Sequence, residues 1–182
     1  MKHWVAWLRG INVGKAGKGR KSVPMAELRG LASELGFEDV QTYIQSGNLV
    51  FAAKGTAAKL AATLEQAIRE RFGFDVPVVV VAHAELAAHE ADGPFADVAD
   101  ERPNLVHVGF TTARLGKGVV DALAPYCVGG ERVAVQGKVL WVDYADGVAR
   151  SKLTPAVLDR AVGASITFRN VKTLRAVRAM LP

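Results

Sequence analysis

At 182 residues, half of them hydrophobic, the chain suits one large globular domain or two small ones, and no apolar run is long enough to cross a bilayer. Its 23 Lys and Arg against 18 Asp and Glu leave a formal net charge of +5, and the single cysteine, Cys127, excludes an internal disulfide framework. The opening MKHWVAWLRG breaks its apolar stretch with a charge too early for a signal peptide, so a cytoplasmic protein without membrane attachment is expected.

The first strand spans 3–8 (HWVAWL) and is apolar on both faces, with Val5 and Trp7 on one and Trp4, Ala6 and Leu8 on the other. It runs into a loop, residues 9–22, that holds five basic residues and no acidic one. Pro24 then opens a helix with Leu28, Leu31 and Leu35 on one stripe, closed by Gly36. Val40–Gln45 and Asn48–Phe51 read as strands joined by a tight Ser46-Gly47 turn. A helix over 56–72 and the fully apolar VPVVVVA (76–82) complete a βαββαβ order.

Residues 83–103 read as a short helix and a linker. The order then recurs: strand 104–110, a helix near 116–124, strands 131–136 and 138–143 meeting at Gln136-Gly137, a helix from Thr154-Pro155 to Val162, and strand 165–168. A terminal helix, Asn170 to Leu181, puts Val171, Leu174, Val177 and Leu181 on one stripe. The expected fold is α+β: two tandem ferredoxin-like (alpha-beta plait, βαββαβ) halves plus a C-terminal helix. Residues 1–90 form the first half, 91–103 the linker, and 104–182 the second half with the terminal helix.

In that topology the sheet order is 4-1-3-2, so the end of the first strand lies beside the start of the third. Arg9, Gly10 and Asn12 should therefore meet Gln45, Ser46 and Asn48. In the second half the ends of the third and fourth strands share a rim, which should gather Arg150, Ser151 and Lys152 with Arg169 and Asn170.

Several motifs fall short of their chemistry. Gly14 and Gly19 have P-loop spacing, but Arg20 stands where the lysine belongs and Lys21-Ser22 follow one residue late. The glycines and cations still suit an anion-binding loop. VLWVD, ending at Asp143, is a common strand string. His83, Glu85, His89 and Asp92 are close in sequence, yet HExxH and CxxC patterns are absent and no metal site is expected. Ser151 and Lys152 are adjacent, so their side chains diverge; they suit anion binding ahead of the following helix better than a nucleophile pair. The third strand, NLVF, lacks the aromatic signature of RNA-recognition modules, and Phe51, Trp4 and Trp7 read as core.

The strings LRGINVG (8–14), PMAELR (24–29), TYIQSGNLVF (42–51), RSKLT (150–154) and TFRN with Thr173 closely resemble the bacterial proteins grouped as domain of unknown function 1697. The resemblance runs almost end to end and implies a tandem alpha-beta plait fold, with no established activity, substrate or catalytic residue. Two departures stand out: the loop after Gly14 is longer and more basic than the family form, and Val171 stands where the family often has Trp.

The leading functional expectation is an anionic, phosphate-bearing small-molecule ligand held in a basic cleft between the two halves. Arg9, Asn12, Gln45, Ser46 and Asn48 would form one wall, and Ser151, Lys152, Arg169 and Asn170 the other. A nucleic-acid-binding module using the basic surface is an alternative. So is a transferase-type enzyme acting by positioning on a phosphorylated small molecule, since neither cluster contains a His, Asp or Glu to serve as base. Cofactor and oligomeric state stay open.

Overall fold

The computed structural model describes residues 1–14, 19–91 and 93–180. The chain divides into two compact units, Met1–Leu86 with Ala176–Pro182, and Ala87–Arg175. Each unit is a mixed α+β assembly around one four-stranded antiparallel sheet.

The first unit contains β1 (Lys2–Leu8), α1 (Met25–Glu34), β2 (Glu38–Tyr43), β3 (Asn48–Ala53), α2 (Ala57–Phe72) and β4 (Val78–Ala82), with sheet order β2-β3-β1-β4. On one face Trp4, Ala6 and Leu8 pack with Phe51, with Leu28 and Leu31 of α1, and with Leu60, Leu64 and Ile68 of α2. Phe51 stacks on Phe37 at 4.5 Å between ring centroids. On the other face Val5, Trp7 and Val50 are also fully buried, which accounts for a central strand with no polar alternation. The tryptophans thus serve the core, and Trp4 Nε1 donates to Ala53 O at 3.1 Å. The C-terminal residues of the unit are tied to both edges of this sheet. His83 Nε2, just after β4, lies 2.8 Å from Arg178 O, and Gln41 Nε2 on β2 donates to Met180 O at 3.4 Å.

The hairpin turn is longer than its Ser46-Gly47 signal suggests. Tyr43 pairs with Asn48, leaving a four-residue turn from Ile44 to Gly47. The two extra residues come from β2, which ends at Tyr43 where Ile44 takes a left-handed φ of +49°, while the fully buried Asn48 braces the turn, its Nδ2 donating to Tyr43 O at 2.9 Å and to Ser46 Oγ at 3.1 Å.

The second unit contains β5 (Val106–Phe110), α5 (Gly118–Leu123), β6 (Arg132–Gln136), β7 (Val139–Asp143), α6 (Pro155–Val162) and β8 (Thr167–Asn170), with sheet order β6-β7-β5-β8. Leu140 and Val142 pack with Leu123, Leu153, Leu158 and Ile166 in one cluster. Residues 83–103 hold two helices, α3 (His83–Ala91) and α4 (Ala96–Glu101), where a single short helix and a linker were expected. Between them Gly93 lies close against Trp141; an added Cβ would fall 2.7 Å from the ring. β8 begins two residues later than expected, because Ile166 N donates to the Asp159 carboxylate at 3.1 Å, which holds that stretch to α6. The terminal helix α7 (Val171–Arg178) buries Val171, Leu174 and Val177; Leu181 lies outside the described residues.

Candidate functional site

Where β1 ends, the chain enters a loop whose backbone alternates in hand. Gly10, Asn12 and Gly14 have φ of +69°, +56° and +79°, while Ile11 and Val13 between them stay at negative φ. Such alternation turns successive N–H groups toward one concave side, the arrangement that holds anions. Asn12 N donates to Lys21 O at 2.8 Å, closing the loop, whereas the N–H groups of Ile11, Val13 and Gly14 meet no acceptor among the described residues.

Asn12 is the post that fixes this geometry. Its Nδ2 donates to Val23 O at 2.8 Å and to Gln45 O at 2.9 Å, and its Oδ1 accepts from Val23 N at 2.9 Å. Its amide is therefore committed to backbone, as is that of the buried Asn48. Of the residues expected to meet here, Asn12 reaches Gln45, and beside them Leu8 N donates to Gly47 O at 2.8 Å, while Arg9 N turns to Pro77 O at 3.0 Å. Arg9 and Ser46 are half-buried on this rim and Gln45 is exposed. Arg20 reaches back over the loop: its Nη2 donates to Asn12 O at 3.1 Å, and its Nε is buried with no hydrogen-bond partner among the described residues. Lys21 Nζ donates to Asp75 O at 2.5 Å. Lys15 and Lys18 lie outside the described residues.

The residues expected on the second rim are spread out. Asp143 and Asn170 do share an end of the sheet, since Val106 faces Asp143 and His107 faces Asn170. Ser151, however, hydrogen-bonds Glu131, which immediately precedes β6, and β6 and β8 are the opposite edges, about 14 Å apart at ordinary strand spacing. Asn170 is occupied by its helix, its Oδ1 accepting from Thr173 N at 2.8 Å. Arg169 shares the buried face of Val108 and Trp141; its Nη1 donates to Phe168 O at 2.8 Å, and burial pushes its guanidinium down to about 10. Arg150 and Lys152 are exposed.

What occupies that rim is a charge network the sequence reading missed. The Asp143 carboxylate, almost fully buried, accepts from Arg132 at 2.9 and 3.1 Å and from Arg102 at 3.2 Å, and Oδ1 accepts from Ala145 N at 3.1 Å. Arg132 also lies 4.7 Å over the Phe95 ring. The hairpin pairing carried part of this signal, because Arg132 and Asp143 are register partners.

Glu131 offers the base that sequence reading found wanting, but its environment argues against that role. Hydrogen bonds from the Ser151 hydroxyl and from the backbone, including Gly129 N at 2.7 Å, hold its carboxyl below the usual range and so weaken it as a base. Nearby, burial pushes the Cys127 thiol up and the Tyr144 hydroxyl up to about 12, so neither is an activated nucleophile. Burial lowers the pKa of His107, whose ring meets Tyr144 edge-on at 4.9 Å. Of the sequence-adjacent His, Glu and Asp group, His83 binds the Arg178 carbonyl, the His89 ring packs against Phe110, and Asp92 lies outside the described residues.

Comparison with known proteins adds a family and a fold. The model of a family described as protein of unknown function (DUF1697) matches residues 1–141. The solved structure of conserved bacterial protein SP0830 from Streptococcus pneumoniae superposes with a TM-score of 0.74 at 24% identity, covering 100% of this chain and 99% of that one. No curated protein matches.

Proposed function

The chain belongs to the DUF1697 family of proteins of unknown function, and from that premise we propose that it is a cytoplasmic protein that binds an anionic, phosphate-bearing ligand at the rim of its first sheet. We read each unit as a ferredoxin-like plait, in which this rim joins the exit of the first strand to the hairpin of the second and third. The observation that carries the reading is the alternating backbone of Gly10, Asn12 and Gly14, with the N–H groups of Ile11, Val13 and Gly14 left without acceptors among the described residues. Arg20 adds a guanidinium whose Nε is buried and unpartnered among the described residues, and Arg9 a second cation at the strand end. In this reading Gln45 and Ser46 face the ligand, while Asn12 and Asn48 shape the cradle and do not touch it.

Isothermal titration with inorganic phosphate and pyrophosphate at two salt concentrations tests the reading. Binding by the wild type that weakens about tenfold or more in Arg20→Ala and Arg9→Ala, with the fold intact by circular dichroism, is expected. No binding, or binding that both variants leave unchanged, removes the proposal. Affinity for oligonucleotides alone, erased by salt, replaces it with a nucleic-acid surface.

A further inference from the structure

We infer, resting on the phosphate reading above, that the ligand is an organic phosphate with an apolar body, and that Val13 and Ile44 are the residues that select it. Most apolar side chains of the first sheet are sequestered: Val5, Leu8, Leu49 and Phe51 are all fully buried. At the rim the rule breaks. Val13 is 63% exposed and Ile44 is 52% exposed. Both flank the loop junction in sequence, since Asn12 donates to the Gln45 carbonyl and each exposed residue is the chain neighbour of one partner of that bond.

Single exposed apolar residues are ordinary, but Ile44 is not placed at random. Its φ is +49°, in the left-handed region that β-branched residues avoid because Cβ crowds the following carbonyl. The turn thus holds an isoleucine outward in a conformation that Asn or Gly would adopt more easily, and the fold gains nothing from burying it. Strain kept at a rim with exposed apolar surface is what a ligand contact rewards. Val13 lies within the alternating N–H cradle itself, so one arc offers donors for the phosphate and the flanking arc offers two branched hydrocarbon side chains. A ligand with a phosphate and nothing apolar would leave both unsatisfied, and a polyhydroxylated body would lose hydration against them.

Competing titrations with phenyl phosphate, glycerol phosphate and inorganic phosphate separate this inference from the reading beneath it. Phenyl phosphate is expected to bind the wild type about fivefold or more tightly than glycerol phosphate. Ile44→Asn, which tolerates the left-handed backbone, should abolish that preference, keep inorganic phosphate affinity, and melt at or above the wild-type temperature. Val13→Thr, nearly isosteric, should reduce the preference without touching the turn. Equal affinity for the two esters, or a preference that survives both substitutions, overturns the inference while leaving phosphate binding standing. Absence of binding by any of the three removes both.

Discussion

An alanine at position 47 would put its Cβ 2.7 Å from Ile11 Cδ1 and 2.7 Å from Leu8 Cβ, in a backbone with φ of +79°. Leu8 Cβ is bound to the strand and cannot yield without moving β1, so the clash adds to the left-handed penalty. Gly47→Ala is expected to cost about 2–4 kcal/mol in urea unfolding. A loss below about 0.5 kcal/mol would mean that the turn lifts freely off β1. The same residue marks what could be read from sequence at this scale. The glycine announced a turn, but its length depended on Ile44 turning left-handed after Tyr43, braced by the Asn48 amide that packing of β3 buries. Likewise Asn12, Asn48 and Asn170 looked like ligand contacts because amides bind ligands and backbone with the same atoms. In the folded chain each is committed to a loop, a turn or a helix cap.

Between elements, the decisive contacts are those that pin the ends of the second sheet. Asp143 closes β7 and is held by Arg132 at the start of β6 and by Arg102 just after α4. Removing one partner of a buried ion pair costs about 3–5 kcal/mol, because the remaining charge is stranded. Here the side chains of Arg132 and Arg102 are 46% and 36% exposed and regain water, so the penalty shrinks. Asp143→Asn is therefore expected to cost about 2 kcal/mol by urea denaturation. The further substitution Arg132→Met should recover part of the loss, and a double variant no better than the single one would show that the Arg132 charge is not what the aspartate neutralises. The element pattern was largely legible, since apolar periodicity and glycine punctuation mark every strand. Arg102 was not, because nothing local announces that a residue after a short helix will meet the end of a strand more than forty residues on.

At the scale of the whole molecule the perturbed titrations are unevenly shared. His107, Cys127, Glu131, Tyr144 and Arg169, the groups with resolved shifts among the described residues, all belong to the second unit. Folding lowers the pKa of His107, so the folded state binds that proton less tightly than the unfolded chain, whose value is 6.5. Its contribution is present above that pH and is lost as pH falls through the lower folded value. Glu131, also lowered, keeps its contribution above 4.5 and loses it on further acidification. Tyr144 works in the other direction: raised from 10 to about 12, it favours the folded state at neutral pH and withdraws support between those values, about 2–3 kcal/mol in all. Hydrogen exchange followed by peptide, corrected for intrinsic rates, should therefore show β5–β7 losing protection before β1–β3 both below pH 6.5 and above pH 10. Loss that begins in β1–β3 at either extreme would place the pH-sensitive groups in the first unit and contradict the assignment. The proposed phosphate cradle lies in the first unit, so its binding should persist below pH 6.5 while the second unit weakens, apart from the ionisation of the phosphate itself.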